Sequence, residues 1–159
     1  MPSPDIGLIR DLATEFRRAI EACDRTSLGI GMAEFPLGAC GDATLLLGTY
    51  LREQGYGDFD YVLGYRPPEP DDEWGTRTTH AWLQRGELVV DITADQFSEI
   101  DAPVIVAEPS DWHRSFEDWR ATHVADLRIY DPPLSELHRA YRCICAEIGC
   151  GGESGDSNA

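Results

Sequence analysis

Apolar residues recur along this chain with two different spacings, and the change between them marks where helices give way to strands. From residue 6 to residue 23 they fall at every third or fourth position, which is the stripe of an amphipathic helix. A second helix is predicted from about Cys40 to Gln54, where Gly55 provides the stop, and a closing helix over residues 134–148.

Strand-forming residues occupy the middle of the chain. Runs rich in β-branched and aromatic residues predict strands over residues 59–65, 79–84, 87–92 and 104–106. Residues 111–123 stay unassigned, because their aromatic side chains have helical spacing but few strong helix formers accompany them. The pattern predicts an α+β fold in which N-terminal helices pack on a small antiparallel sheet. It predicts a single domain over residues 1–148, followed by a disordered acidic tail at 149–159.

Composition and charge narrow the range of partners. The chain has 159 residues and a formal net charge of −16, which disfavours binding to nucleic acid and to anionic membranes. Its five cysteines are an odd number at irregular spacing, which argues against a disulfide framework and for a reducing compartment. No window is apolar enough to span a bilayer, and the first residues lack the features of a signal peptide. We therefore expect a cytoplasmic protein.

The candidate chemistry centres on a predicted hairpin. Arg85-Gly86 has the length of a two-residue turn between two of the predicted strands. If that turn closes symmetrically, His80 faces Asp91, and opposed Cβ atoms on one face are about 4.5–5.5 Å apart, so the carboxylate can hold the imidazole ring. A three-residue loop would place His80 opposite Val90 instead, so the hypothesis requires a loop of even length.

Cys40 stands at the predicted start of the second helix. A thiol reacts as its thiolate, which the positive end of a helix and a neighbouring imidazolium both favour. Gly38 and Gly41 leave room for a substrate backbone, and the first N–H groups of the helix are candidates for an oxyanion hole. An inert buried thiol is the commoner fate of a free cysteine, but a strand histidine with a facing carboxylate favours catalysis. We predict that His80 and Asp91 point toward the start of this helix.

Five short motifs around these residues occur in a particular order. They are Gly38-Ala39-Cys40, Leu51-Arg52-Glu53-Gln54-Gly55, Gly64-Tyr65, His80-Ala81-Trp82 and Asp91-Ile92-Thr93. In that order they resemble the transglutaminase-like superfamily, which has a papain-like fold and a Cys-His-Asp triad. The resemblance covers roughly residues 36–97. It implies that a thiolate attacks an amide carbonyl, that an acyl-enzyme forms, and that water or an amine releases it.

The resemblance also implies roles for individual residues. Cys40 would be the nucleophile, His80 the acid and base, and Asp91 the orienting group of a peptidase, amidase or protein-glutamine deamidase acting on a peptide or protein without cofactor or metal. Papain-like proteases have a glutamine oxyanion donor six residues before the cysteine, whereas this chain has Glu34, which can only accept when ionised. The second donor is therefore open. Its candidates, chosen for their N–H groups, are Trp74, Trp82 and Gln96.

Other interpretations stay open at this point. The same triad could transfer the acyl group to an amine, or the fold could serve as a binding or regulatory module without turnover. Cys40, His80 and Asp91 could also ligate zinc, although no close pair of ligands in the sequence indicates a zinc site. The remaining histidines are predicted to be surface or hydrogen-bonded core residues; they are His113, His123 and His138. The sequence gives neither the substrate nor the oligomeric state.

Overall fold

A computed structural model describes residues 5–68, 70, 73 and 78–152 of the chain. Within those residues one antiparallel sheet has the strand order β4-β3-β2-β1-β5, with β1 (Asp60–Arg66), β2 (Thr78–Arg85), β3 (Leu88–Asp91), β4 (Ile105–Ala107) and β5 (Glu117–Val124). The helices of the same residues are α1 (Ile6–Ala22), α2 (Arg25–Leu28), α3 (Cys40–Glu53), α4 (Asp111–Arg114) and α5 (Ser135–Gly152). The α+β prediction is therefore confirmed.

The main core lies between the helices and one face of the sheet. Residues 43–51 of α3 are all buried, as expected for a helix that is apolar on every side and lies inside a domain. The hairpin of β2 and β3 contributes Leu83, Leu88 and Val90 to this core. Burying one such side chain contributes about 1.5–3 kcal/mol, so these residues anchor the hairpin firmly to the helices.

The opposite face of the sheet carries a smaller cluster, here called the aromatic cluster. It consists of Val62, Trp82, Val89 and Phe116, with Phe97 and Trp112 packed against them. Gly64 of β1 faces this cluster, and a Cβ at that position would lie only 2.8 Å from Trp82 Cη2 and 2.9 Å from Phe116 Cβ. The sequence analysis predicted that His80 and Asp91 point toward the start of the Cys40 helix. The aromatic cluster covers most of the sheet face that carries these two side chains, so the prediction describes only part of their surroundings.

The hairpin closes in a register other than the symmetric one. Arg85 pairs with Leu88 and Leu83 with Val90, so the turn residues are Gly86 and Glu87. Gly86 has a φ of 59°, which the first central position of a type II′ turn requires. The loop keeps two residues but begins one residue later, so each partner changes by two positions and stays on the same face. The prediction that His80 directly opposes Asp91 is wrong, whereas the even loop length on which their common face depends is confirmed.

The unassigned segment 111–123 contains α4 and most of β5. β5 pairs with β1 at the edge of the sheet, with two register shifts, and its residues 117–122 are exposed. An edge strand with neither face buried shows no alternation of apolar and polar residues, so the sequence pattern could not reveal it.

The ends of the predicted helices mostly agree with the structure. α1 and α3 end within a residue of their predicted limits, and α5 extends to Gly152 rather than Ile148, so the first part of the predicted tail is helical. Residues 153–159 of that tail lie outside the described residues. In the described part of the chain, no helix has both the length and the apolar character needed to cross a membrane.

Arg17 connects α1 to the segments that flank the candidate site. Its Nη1 atom donates to three oxygens: the carbonyls of Ile92 (2.9 Å) and Pro103 (2.8 Å) and the Asp95 carboxylate (2.7 Å). Its Cζ atom lies 5.1 Å from the centre of the Phe35 ring, five residues before Cys40 in the sequence. The segments before Cys40 and after Asp91 therefore share one contact on α1.

Candidate active site

Asp91 ends β3, and its carboxylate is almost fully buried. Its Oδ1 atom accepts hydrogen bonds from the backbone N–H of Thr93 at 2.9 Å and from the Thr93 hydroxyl at 3.4 Å. These bonds form an Asx-type turn, which accounts for the Asp-x-Thr sequence at the end of this strand. The turn fixes the carboxylate and leaves Oδ2 available to other partners.

The Oδ2 atom of Asp91 meets the imidazole ring of His80 on β2. The Nε2 atom of His80 lies 2.7 Å from Oδ2, and the residue has no exposed surface. Because the turn begins one residue late, the two side chains are diagonal neighbours. Diagonal pairs on one face are about 7–8 Å apart at the backbone, which long side chains can span.

Aromatic rings enclose the His80 imidazole. The ring centres of Phe97, Trp112, Phe116 and Trp82 lie 5.1, 5.8, 5.8 and 5.9 Å from that of His80. The Arg66 guanidinium lies over the Phe97 ring, 4.7 Å from its centre, and pairs with Glu99 at 2.5 Å. This packing limits the ring to one orientation and keeps water away from its contact with the carboxylate.

The charge state of the pair follows from its surroundings. Burial lowers the pKa of His80, but the charge of Asp91, the hydrogen bond to it and the side chain of Cys40 outweigh burial and raise that pKa to about 9. Burial raises the pKa of Asp91, but the charge of His80 and hydrogen bonds from His113 and His80 lower it well below its usual value. Both shifts favour an imidazolium beside a carboxylate at neutral pH.

Cys40 is the first residue of α3, and it is partly exposed. Its side chain contributes to the raised pKa of His80, so the thiol lies near the ring, whereas the side chains that hydrogen-bond to the ring among the described residues are Asp91 and Gln96. Asp91 occupies Nε2 of that ring, so Nδ1 is the nitrogen that can serve a thiol. Ala39 provides no side-chain cap, so no cap competes for the first N–H groups of the helix.

Gln96 is a predicted oxyanion candidate that the structure brings against the ring. Its Nε2 atom lies 3.3 Å from Nδ1 of His80 and donates to the carbonyl of Thr93 at 3.1 Å, while Oε1 accepts from the Gly38 N–H at 3.5 Å. The amide can donate to Nδ1 only when His80 is neutral, because both ring nitrogens of an imidazolium carry hydrogen. The raised pKa therefore leaves Thr93 as the main partner of the amide N–H groups.

The other predicted contributors have mixed positions. A Cβ at Gly38 would meet no atom within 4 Å, so the loop is open there, and a Cβ at Gly41 would lie 3.1 Å from the Tyr61 hydroxyl. That hydroxyl is a donor near Cys40 that the sequence analysis missed; burial and the neighbouring Cys40 raise the pKa of Tyr61 to about 12. Trp82, another oxyanion candidate, donates its indole N–H to Gln84 at 2.9 Å, so that N–H group already has an acceptor. Trp74 lies outside the described residues.

His113 is a second histidine on the Asp91 carboxylate, and the sequence analysis missed this role. Its Nε2 atom lies 2.7 Å from Oδ2, the same oxygen that His80 contacts, and its Nδ1 atom lies 2.6 Å from the Ser110 hydroxyl. The prediction of a hydrogen-bonded core histidine is right about its burial but omits its partner. The one local signal is Ser110 three residues earlier, which predicts a helix cap and does not point to Asp91.

His80, Asp91 and His113 also form a group that could hold a metal ion, since their ligand atoms lie within 4.8 Å of one another. Two ligand atoms at about 2.0–2.2 Å from a tetrahedral zinc ion would be about 3.3–3.6 Å apart. The two N···O distances of 2.7 Å are shorter and are typical of hydrogen bonds. Among the described residues Cys40 is not part of this group, so the zinc set of Cys40, His80 and Asp91 is not assembled.

The site thus consists of a buried imidazole–carboxylate pair, with a thiol beside it at the start of a central helix. No family model matches this chain, and no curated protein or solved structure shows significant similarity to it. The function is therefore inferred from the residues themselves.

Proposed function

We propose that this chain is a cysteine-dependent enzyme with a papain-like, transglutaminase-like core, which acts on amide bonds through an acyl-thioester intermediate. The observation that carries the proposal is the 2.7 Å contact between His80 and Asp91 next to Cys40 at the start of α3. A nucleophile, its base and an orienting group are the roles that Cys40, His80 and Asp91 would take in this proposal. The substrate class is a peptide or protein amide, so the enzyme would be a peptidase, an amidase or a glutamine deamidase.

Each residue has one task in the acylation step. The Cys40 sulfur attacks the carbonyl carbon and forms a C–S bond, while the carbonyl oxygen becomes an oxyanion. The first N–H groups of α3 and the Gln96 amide donate to that oxygen, and one such donor contributes about 2.7–4 kcal/mol of transition-state stabilisation. His80 carries the thiol proton on Nδ1 and gives it to the leaving nitrogen as the C–N bond breaks. Asp91 orients the ring and stabilises its imidazolium form.

The deacylation step decides between hydrolysis and transfer. Water or an amine attacks the thioester, His80 takes the proton of the incoming group, and the C–S bond breaks to restore the thiol. All 13 basic side chains of this chain are arginine, so an acceptor ε-amine would have to come from another molecule. The net charge of −16 would attract a basic substrate or acceptor over a long range.

The rate at which iodoacetamide alkylates Cys40 at pH 6.5, measured by mass spectrometry of peptides, tests the proposal. Cys143 is also partly exposed, and it serves as a standard within the same chain. Cys40 should react more than about tenfold faster than Cys143, because an adjacent imidazolium favours the thiolate. A strong chelator should leave the rate unchanged. Equal rates for the two thiols would overturn the proposal and favour a binding module.

Product analysis then separates the reaction types. Incubation with a glutamine-containing protein and a fluorescent amine should give new chain termini for a peptidase, free ammonia without a coupled amine for a deamidase, or free ammonia together with a coupled amine for transfer. Cys40→Ser is the matched inactive variant, because it keeps the size of the side chain and removes the nucleophilic sulfur. Equal products from both proteins would show that the chemistry does not come from this site.

A further inference from the structure

The Asp91 carboxylate has a histidine partner for which the proposed reaction has no task. His113 is 2% exposed, and it contributes its Nε2 atom to the oxygen that His80 also contacts. Two imidazole groups therefore share one carboxylate oxygen, while Thr93 occupies the other oxygen. A fully occupied carboxylate has no freedom to turn about its Cβ–Cγ bond.

Hydrogen-bond partners occupy both ring nitrogens of His113. The Ser110 hydroxyl oxygen accepts from the backbone N–H of His113 at 3.4 Å, and its one hydrogen is then free to point at Nδ1, 2.6 Å away. In a neutral ring Nδ1 accepts from this hydroxyl, and the ring hydrogen on Nε2 is donated to Asp91. Each hydrogen-bond donor in this network has one acceptor, and the network ends at the Asp91 carboxylate.

The backbone supports the same arrangement. Ser110 is the N-cap of α4, so the turn that begins this short helix also fixes the distance between the Ser110 hydroxyl and the His113 ring. The ring packs against Trp82 and Trp112, with centres 4.8 Å apart in both cases. Contacts other than the one with Asp91 therefore hold the His113 ring in place, so the ring can orient the Asp91 carboxylate.

We propose that His113, held by Ser110, is a positioning residue that fixes the Asp91 carboxylate and, through it, the His80 ring of the reactive thiol. The inference deepens the proposed function and rests on it. The titratable and charged groups near His80 are Asp91 on β3, His113 on α4, Cys40 on α3 and Arg66 on β1, whose guanidinium lies against the rings that enclose His80. Of these, His113 hydrogen-bonds to the same carboxylate oxygen as His80.

Three variants test this role. His113→Phe keeps an aromatic ring but removes the donor, His113→Gln keeps an N–H donor near the Nε2 position, and Ser110→Ala removes the support. His138→Phe, at a partly buried histidine of α5, is the matched control. Alkylation of Cys40 at pH 6.5 should slow by about tenfold in His113→Phe, because a thiol without a well-placed imidazolium reverts to its ordinary reactivity. It should stay within about twofold of wild type in His113→Gln and in the control, where the relevant donor is intact.

Proton NMR gives a second readout that does not depend on thiol reactivity. The Nε2–H proton of His80 should give a sharp, slowly exchanging signal in the wild type and a broadened one in His113→Phe. If His113→Phe does not fold, Ser110→Ala should show both changes more weakly. An unchanged alkylation rate and signal in a folded variant would overturn the inference, as would equal losses in His113→Gln and His113→Phe. If wild-type Cys40 reacts no faster than Cys143, the proposed function fails, and the NMR signal alone decides whether His113 positions the pair.

Discussion

Asp91→Asn keeps the shape of the side chain at the centre of the candidate site and removes its charge. The amide oxygen of the substituted side chain can still accept from the Thr93 N–H, and its NH2 group has one hydrogen for Nε2 of His80 and one for Nε2 of His113. Both rings can meet these donors by moving their own hydrogen to Nδ1, where His113 would donate to the Ser110 hydroxyl. No buried group is left without a partner, so we expect the variant to fold.

The main expected effect of this substitution is a lower reactivity of the Cys40 thiol. The raised pKa of His80, about 9 against the usual 6.5, corresponds to a net preference of about 3 kcal/mol for the charged ring. Without the carboxylate, burial alone lowers that pKa, so the ring is neutral at pH 7 and presents an N–H rather than an acceptor to the thiol. The thiol of Cys40 then lacks both the neighbouring imidazolium and an acceptor for its proton, so its alkylation should slow by about 10- to 30-fold.

The assay compares the alkylation rates of Cys40 in the wild type, in Asp91→Asn and in Asp101→Asn, which removes an exposed carboxylate outside the site. Circular dichroism before each measurement verifies that the variant is folded. Turnover, once a substrate is known, should fall by a factor on the order of 10⁴, because the ring holds its hydrogen on the wrong nitrogen. A folded Asp91→Asn protein with wild-type alkylation and turnover would refute the assignment of Asp91 and the charge state derived for His80.

Three further predictions follow from the same structure. The melting temperature should fall as the pH rises from 6.5 through about 9, because the raised pKa of His80 stabilises the folded state only while the ring keeps its proton, and the fall should be smaller in Asp91→Asn. Gln96→Ala should lower kcat by about 10²-fold with little change in KM if its amide stabilises the oxyanion, and unchanged kinetics would make the residue structural. Gly64→Ala should reduce the free energy of unfolding in urea by about 1–3 kcal/mol through crowding of the aromatic cluster, whereas Gly149→Ala, on an exposed part of α5, should not reduce it.

The helices and the middle strands could be predicted because their signals are local. The stripe of α1 and the apolar run of α3 reflect burial directly, and the glycine after the helix of Cys40 marks its end. The hairpin register could not be predicted from strand composition, since it depends on which residues form the turn. A turn at Arg85-Gly86 of type I′ would need a positive φ at Arg85, whereas a type II′ turn at Gly86-Glu87 needs it only at the glycine.

The contact of His113 with Asp91 could not be predicted for a different reason. It joins residues 22 positions apart and depends on where α4 lies over the sheet. The neighbouring edge strand β5 gives no apolar alternation that would reveal this placement. The prediction that His80 and Asp91 lie on one face of the hairpin is correct although the predicted register is wrong. Side chains alternate between the two faces with a period of two, so a change of two positions keeps each side chain on its face.

Arg17 makes the N-terminal helix part of what aligns the two halves of the site. The guanidinium reaches the segment that leads into Cys40 and the segment that follows Asp91, although these lie far apart in the sequence. A lysine there would offer one compact charge and could not serve several oxygens and an aromatic face together. Under the proposed function, Arg17 should therefore be constrained although it is none of the three proposed catalytic residues, and a design that transfers only Cys40, His80 and Asp91 to another protein would lose the contacts that align them.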